Sequence, residues 1–169
     1  TLWEVKGATT ECVTSTVTDG KRVFSSGGYP KNHLAAVLAD GSGEIVWETK
    51  DRVYVPSLLA CDGHLFGVLD AGVAVCWKSD TGDVLWKKRL GGEFSASPVL
   101  VGDLIYATNE SGETFVYRAN AAEYEQISVN KLGDHVMASS TICGGRIYMR
   151  VVENIEGRPQ EMLYCLAKQ

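Results

Sequence analysis

No two of the five cysteines (Cys12, Cys61, Cys76, Cys143 and Cys165) are adjacent or spaced as C-x-x-C, and prolines number only four in 169 residues. The first absence leaves no zinc-ligand spacing to read. An odd count also precludes complete pairing within one chain. No cluster of lysine and arginine is present to displace phosphate counterions, and the formal net charge of −5 argues against a nucleic-acid partner. No apolar run approaches the roughly 20 residues that a membrane helix needs. A charged-then-apolar leader is missing too, so the opening on Thr1 reads as an upstream cut. No serine sits in a G-x-S-x-G elbow. What remains is a chain of ordinary globular composition, 45% hydrophobic and 22% charged, with 18 glycines to serve many tight turns. Its length allows a real core.

A four-fold repeat organises it. "TSTVTDGKRVFSSGG", "SLLACDGHLFGVLDAG", "SPVLVGDLIYATNESG" and "SSTICGGRIYMRV" begin at Thr14, Ser57, Ser97 and Ser139, 43, 40 and 42 residues apart. Each carries β-branched and aromatic runs broken by Gly/Asp turns. Four strands in about 40 residues is the period of a propeller blade. Helical spacing of apolar residues is nearly absent, so the expected class is all-β.

Each unit reads as strands A to D, from centre to rim. Strand A runs from Glu11, Tyr54, Phe94 and Val136 into the first turn. Strand B covers Arg22–Ser26, Leu65–Leu69, Leu104–Thr108 and Arg146–Val151. Strand C covers Leu34–Leu38, Val73–Trp77, Thr114–Arg118 and Met162–Leu166. Strand D carries Trp47 and Trp86; the third unit has "YEQISVN" there and has lost its tryptophan. The fourth unit stops after strand C. Leu2-Trp3-Glu4 aligns with Val46-Trp47-Glu48 and Leu85-Trp86-Lys87, so the opening stretch reads as an orphan strand D. The expected division is an outer strand at 1–7, blades at 8–50, 51–91 and 92–133, and an incomplete blade at 134–169. Open edges invite pairing. The two ends could meet in a small ring, two copies could close head to tail, or a missing half could supply the partners.

"KSDTGDVLWKKRL" and "ADGSGEIVWETK" resemble the rim hairpin of pyrroloquinoline-quinone (PQQ)-type β-propeller repeats, whose pattern is A-x-D-x-x-T-G-x-x-x-W. Thr81, Gly82 and Trp86 match, as do Gly43 and Trp47 with Ser42 in the threonine place; Lys78 and Ala39 stand where the pattern has aspartate. The resemblance spans essentially the whole chain. It implies the C-terminal half of a bacterial, extracytoplasmic (periplasmic or secreted) eight-bladed propeller. The family includes non-enzymatic scaffolds and quinoprotein alcohol dehydrogenases, and the fold alone does not choose between them.

The dehydrogenase active site, as the family is known, uses a disulfide between adjacent cysteines, a calcium or lanthanide ion and a catalytic aspartate. This sequence has no such cysteine pair, and Glu11, Glu93 and Asp134 fall on separate units. A hard cation wants six or more converging oxygens. His33, His64 and His135 occupy different repeat positions, with His64 on the opposite face, so no triad assembles. The expectation is therefore a non-enzyme without cofactor or metal, its cysteines free, buried and apolar in role. An enzyme whose site lies in missing sequence and a purely architectural module are the alternatives.

Binding is expected on the face shared by D–A connections and B–C hairpins, because the A–B turns are short and plain. There "GGYPKNH" and "ENIEGRPQE" lengthen two hairpins. The candidate residues are Tyr29, Lys31, Asn32 and His33 from the first insertion, with Glu11, Arg52, Tyr54, Phe94 and His135 from the D–A mouths; Glu93 lies beside them. Rigid aromatics with both charge signs suit a protein, peptide or small polar ligand. "ENIEGRPQE" reads as a solvated hairpin. Thr14, Ser57, Ser97 and Ser139 share one innermost position, and their hydroxyls are expected to serve nearby backbone groups.

Overall fold

A computed structural model describes residues 1–6, 10–11 and 13–167; Cys12 lies outside the described residues. Fifteen strands form four antiparallel sheets, and no helix occurs among the described residues. The first sheet is β1 (Val17–Thr18), β2 (Arg22–Gly27), β3 (His33–Leu38) and β4 (Ile45–Thr49). The second is β5 (Leu59–Cys61), β6 (His64–Leu69), β7 (Val73–Lys78) and β8 (Val84–Arg89). The third is β9 (Val99–Val101), β10 (Leu104–Thr108), β11 (Glu113–Arg118) and β12 (Gln126–Lys131). The fourth has three strands, β13 (Thr141–Cys143), β14 (Arg146–Ile155) and β15 (Arg158–Ala167). Within every sheet the strands pair in sequence order, as expected for propeller blades.

Local chemistry sets these hairpins. Asp62 and Gly63 take φ of 48° and 75° between β5 and β6, the doubly left-handed turn that matches strand twist. Glu156 and Gly157 repeat it at 53° and 77° between β14 and β15. There the sequence-based strands were too short. Glu153 pairs Gln160 and Ile155 pairs Arg158, so "ENIEGRPQE" extends the ladder to the tip instead of looping out. Strand A, conversely, is shorter than expected. Its ladder in the second and third sheets covers three residues each, Leu59–Cys61 and Val99–Val101.

The sheets stack face to face through two aromatic cores. Phe24, Leu34, Ala36 and Trp47 of the first sheet pack against Leu65, Val75 and Trp77 of the second. Phe66, Cys76 and Trp86 of the second meet Ile105, Phe115 and Tyr117 of the third. Each rim indole also crosses the junction by hydrogen bond: Trp47 Nε1 donates to Ser79 O at 3.0 Å, and Trp86 Nε1 to Asn120 O at 2.8 Å. Gly82 is required under Trp47, because a Cβ there would come within 2.7 Å of the indole. Trp3 and Val5 pack in the same manner beside Gly43, on the corresponding turn of the first sheet. Trp3 thus sits beside the outer turn of the first sheet, but residues 1–6 form no strand, unlike the outer strand expected there.

At the inner end the sheets are laced by serines. Ser15 N donates to Ser57 Oγ at 3.0 Å, Ser57 N to Ser97 Oγ at 2.9 Å, and Ser97 N to Ser139 Oγ at 2.8 Å. Hydroxyl-to-backbone service was the expectation, but its register needs correction in the first unit. Ser15, not Thr14, is the equivalent of Ser57; Thr14 Oγ1 bonds Ser26 O at 3.1 Å instead. "TST" presents three hydroxyls in a row, and only the pairing of Val17 with Phe24 and of Leu59 with Phe66 fixes which one faces the next sheet.

Candidate functional site

The D–A connections and B–C turns of the second and third sheets converge on a cleft of about 390 Å³. Arg52 and Tyr54 come from the connection after β4, Asp70 from the β6–β7 turn, Glu93 and Phe94 from the connection after β8, and Glu110 from the β10–β11 turn. Backbone bonds hold these loops in place. Asp70 accepts from Tyr54 N at 2.9 Å and from Val55 N at 3.3 Å, while its own carbonyl accepts from Phe94 N at 2.9 Å. Glu110 N donates to Glu93 O at 2.7 Å, and Glu110 Oε1 accepts from Ser95 Oγ at 2.6 Å. Such anchoring makes the cleft part of the scaffold.

Tyr54 is its pivot. The Arg52 guanidinium lies over the Tyr54 ring, 5.5 Å from the centroid, a cation–π arrangement. The Tyr54 hydroxyl donates to the Glu11 carboxylate, and that bond, followed by partial desolvation, raises the phenol above its usual range. The phenol therefore stays a donor at neutral pH. Glu11 in turn bridges Tyr29, with Glu11 N donating to Tyr29 O at 3.4 Å. A Cβ at buried Gly28 would fall 2.3 Å from Tyr54 Cβ, so glycine is what lets Tyr54 seat against the first insertion. Tyr29, Glu11, Tyr54 and Arg52 are one contiguous set.

The other candidates separate from it. Phe94 is 1% exposed and stacks in the core with Phe115, so it floors the cleft and has little surface to offer a ligand. Lys31 and Asn32 lie exposed at the loop tip. His33 turns to the rim, its Nε2 3.4 Å from Glu48 Oε2 and its Nδ1 buried without a partner. It begins β3 beside β4, and strand pleating carries it away from the mouth. His135 occupies another, smaller hollow on the fourth sheet with Met137, Arg150 and Glu161. Asp70 and Glu110 were missed by sequence reading. Both sit in B–C turns too short to look functional, yet the repeat alignment puts these turns beside the D–A mouths.

Chemically the cleft offers one guanidinium, one phenol and an excess of carboxylate. It suits a ligand with a basic group and an apolar portion. A quinone–calcium centre does not fit the residues present. No adjacent cysteines exist, and Glu11, Glu93 and Asp134 lie in the connections leading into three different sheets. Among the described residues, no three of His, Cys, Asp and Glu group as metal ligands would. The four described cysteines are free, but burial holds only for Cys76, whose thiol is pushed up to about 12 by desolvation. Cys61 is half-buried, while Cys143 and Cys165 are exposed, which corrects the expectation that all are buried.

The model of the PQQ-like family described as outer membrane protein assembly factor BamB matches residues 1–126. A comparison with curated protein sequences gives no match. Among solved structures, BamB from Moraxella catarrhalis aligns with TM-score 0.67 and 16% identity, covering 82% of this chain and 40% of that one. A europium-containing methanol dehydrogenase aligns with TM-score 0.58 and 18% identity over 70% of this chain and 24% of that one. The computationally designed Ika4 protein aligns with TM-score 0.71 and 11% identity over 99% of this chain and 98% of that one. The chain spans less than half the length of the two natural proteins. These likenesses concern fold alone. The chain belongs to the BamB family of PQQ-type β-propeller proteins.

Proposed function

We propose that this chain is a non-catalytic propeller module that holds a partner polypeptide on its D–A/B–C face, within an extracytoplasmic assembly. On this reading residues 1–169 form one continuous propeller segment, and the Arg52–Tyr54 cleft grips a basic side chain of the partner. The observation that carries it is the anchored cleft itself. Tyr54, Arg52 and Glu11 contact one another, and the carboxylates of Asp70, Glu93 and Glu110 line the same cleft as a single guanidinium. Aromatics and arginine dominate binding energy where they are rigidly placed. Family membership supports a protein partner, since the family's description is an outer-membrane protein assembly factor.

A photo-crosslinking residue placed at Tyr29, against one placed at Lys78 on the opposite turns, tests the face. Adducts to a polypeptide from position 29, lost when Arg52→Ala and Tyr54→Ala are added, are the expected result. Equal labelling from both positions, or labelling indifferent to those substitutions, refutes the proposal. Dye reduction that depends on added PQQ and calcium would refute the non-catalytic part.

A further inference from the structure

The third junction of the stack lacks its indole. Pairing across each sheet puts Trp47 opposite Ala36 and Trp86 opposite Cys76; the same place opposite Val116 is Ser128. Ser128 is the one inward position of β12, as Trp86 is of β8. A second aromatic is lost on the facing wall. Strand pairing makes Leu166 the equivalent of Trp77 and Tyr117, both fully buried. Between the third and fourth sheets lies a cavity of about 460 Å³, lined by Leu166 itself and by Val116, the residue that pairs with Ser128.

Part of its wall repeats the indole's own neighbours, while Thr114, Asn130, Lys131 and Ser140 also line it. Trp86 packs near Phe66, Cys76 and Tyr117, and Trp47 near Phe24, Ala36 and Trp77. The equivalents of each trio are Tyr106, Val116 and Leu166, and all three line the cavity, with Ile142 and Ile147 behind. A dry apolar cavity of about 150 Å³ already accepts benzene. An indole needs more room, and here there is more.

We propose that this cavity is a binding site for a tryptophan side chain of a partner polypeptide, which takes the place vacated at Ser128. The occupant follows from the protein itself, because two equivalent junctions are filled by tryptophan presented on a polypeptide. The site lies between sheets, distinct from the Arg52–Tyr54 cleft, and stands whether or not that cleft binds anything.

The peptide Gly-Gly-Trp-Gly-Gly, its leucine counterpart and free indole are titrated into the full chain, followed by calorimetry and amide shifts at Ile142 and Ile147. The tryptophan peptide is expected to bind saturably, at least tenfold tighter than the leucine peptide. Ser128→Trp should raise the Tm and weaken that binding at least tenfold by filling the site from within. Leu166→Trp narrows the cavity from the opposite wall and should weaken it likewise, which covers the case that one variant misfolds. Absence of saturable peptide binding, or binding undiminished in both folded variants, overturns the proposal. Binding of free indole without the peptide overturns the polypeptide occupant.

Discussion

The junction between the second and third sheets and the junction between the third and fourth are built on the same repeat and end differently. The former interlocks Phe66, Trp86, Tyr117 and Tyr124 in tilted and edge-to-face pairs and seals Cys76 completely. The latter has a small core of Val136, Met149 and Val151 with a cavity beside it. Two substitutions at aligned positions, Ser128 for tryptophan and Leu166 for a large aromatic, mark the contrast, together with a fourth sheet of three strands rather than four. A blade therefore owes its rigidity to what each face hands to the next as well as to its own hairpins, of which the fourth sheet has one fewer.

The widest predicted gap is chemical, and it separates the second junction from the far face of the fourth sheet. Cys76 and Cys165 are equivalent positions, the one buried and the other exposed. A thiol near 12 is ionised roughly a thousandfold less at neutral pH than a free cysteine of pKa about 8.5. Iodoacetamide labelling mapped by mass spectrometry should modify Cys165 and Cys143 in the native protein and reach Cys76 only with unfolding. Prompt native labelling of Cys76 would mean that the second junction opens in the folded protein. Next in size is packing. Trp86→Ala should cost about 3–5 kcal/mol, as for large-to-small changes at tightly packed sites, and lose the bond to Asn120 O. Ser128→Ala, at the same place one sheet on, should stay within about 0.5 kcal/mol. Urea midpoints of the two variants decide, and equal costs would erase the distinction.

Much of this contrast was legible in the chain. Strands B and C of the second and third units fall within a residue of where alternation and turn residues put them, because each strand there is preceded by glycine or aspartate. The missing tryptophan in "YEQISVN" was visible as well. What it leaves behind was not, because a hole needs both walls and the facing wall at Leu166 lies 38 residues further on. The ten-residue β14–β15 hairpin escaped for a related reason. Its tip is charged and reads as a loop, although the Glu156-Gly157 turn permits uninterrupted pairing. His33 was grouped with Tyr29 by proximity in sequence, whereas pleating sends the two to different places.

The serine lacing offers a finer probe. Ser97→Ala removes the acceptor of Ser57 N between the second and third sheets and should cost about 1 kcal/mol. Ser139→Ala removes the acceptor of Ser97 N at the more exposed third junction and should cost less, since water can replace the hydroxyl. Reversed costs in thermal unfolding would show that the inner lacing, unlike the rim, does not weaken along the stack.

The smallest effect is expected where the tight junction is itself imperfect. Trp77 and Tyr117 are equivalent and both fully buried, but only Trp77 has a polar partner, donating from Nε1 to Asp51 Oδ2 at 3.0 Å. The Tyr117 hydroxyl has none, and burial pushes its ionisation far above the ordinary tyrosine range. Asp51 also receives Lys87 Nζ at 3.0 Å, so a carboxylate serves the first junction. Removing an unpaired buried hydroxyl without changing the ring recovers its desolvation cost. Tyr117→Phe should accordingly leave the urea midpoint unchanged or raise stability by up to about 1 kcal/mol, while Trp77→Phe lowers it by losing both indole volume and the bond. A clear loss of stability in Tyr117→Phe would mean that the hydroxyl has a partner in solution, such as a bound water, and that the second junction is less dry than its packing implies.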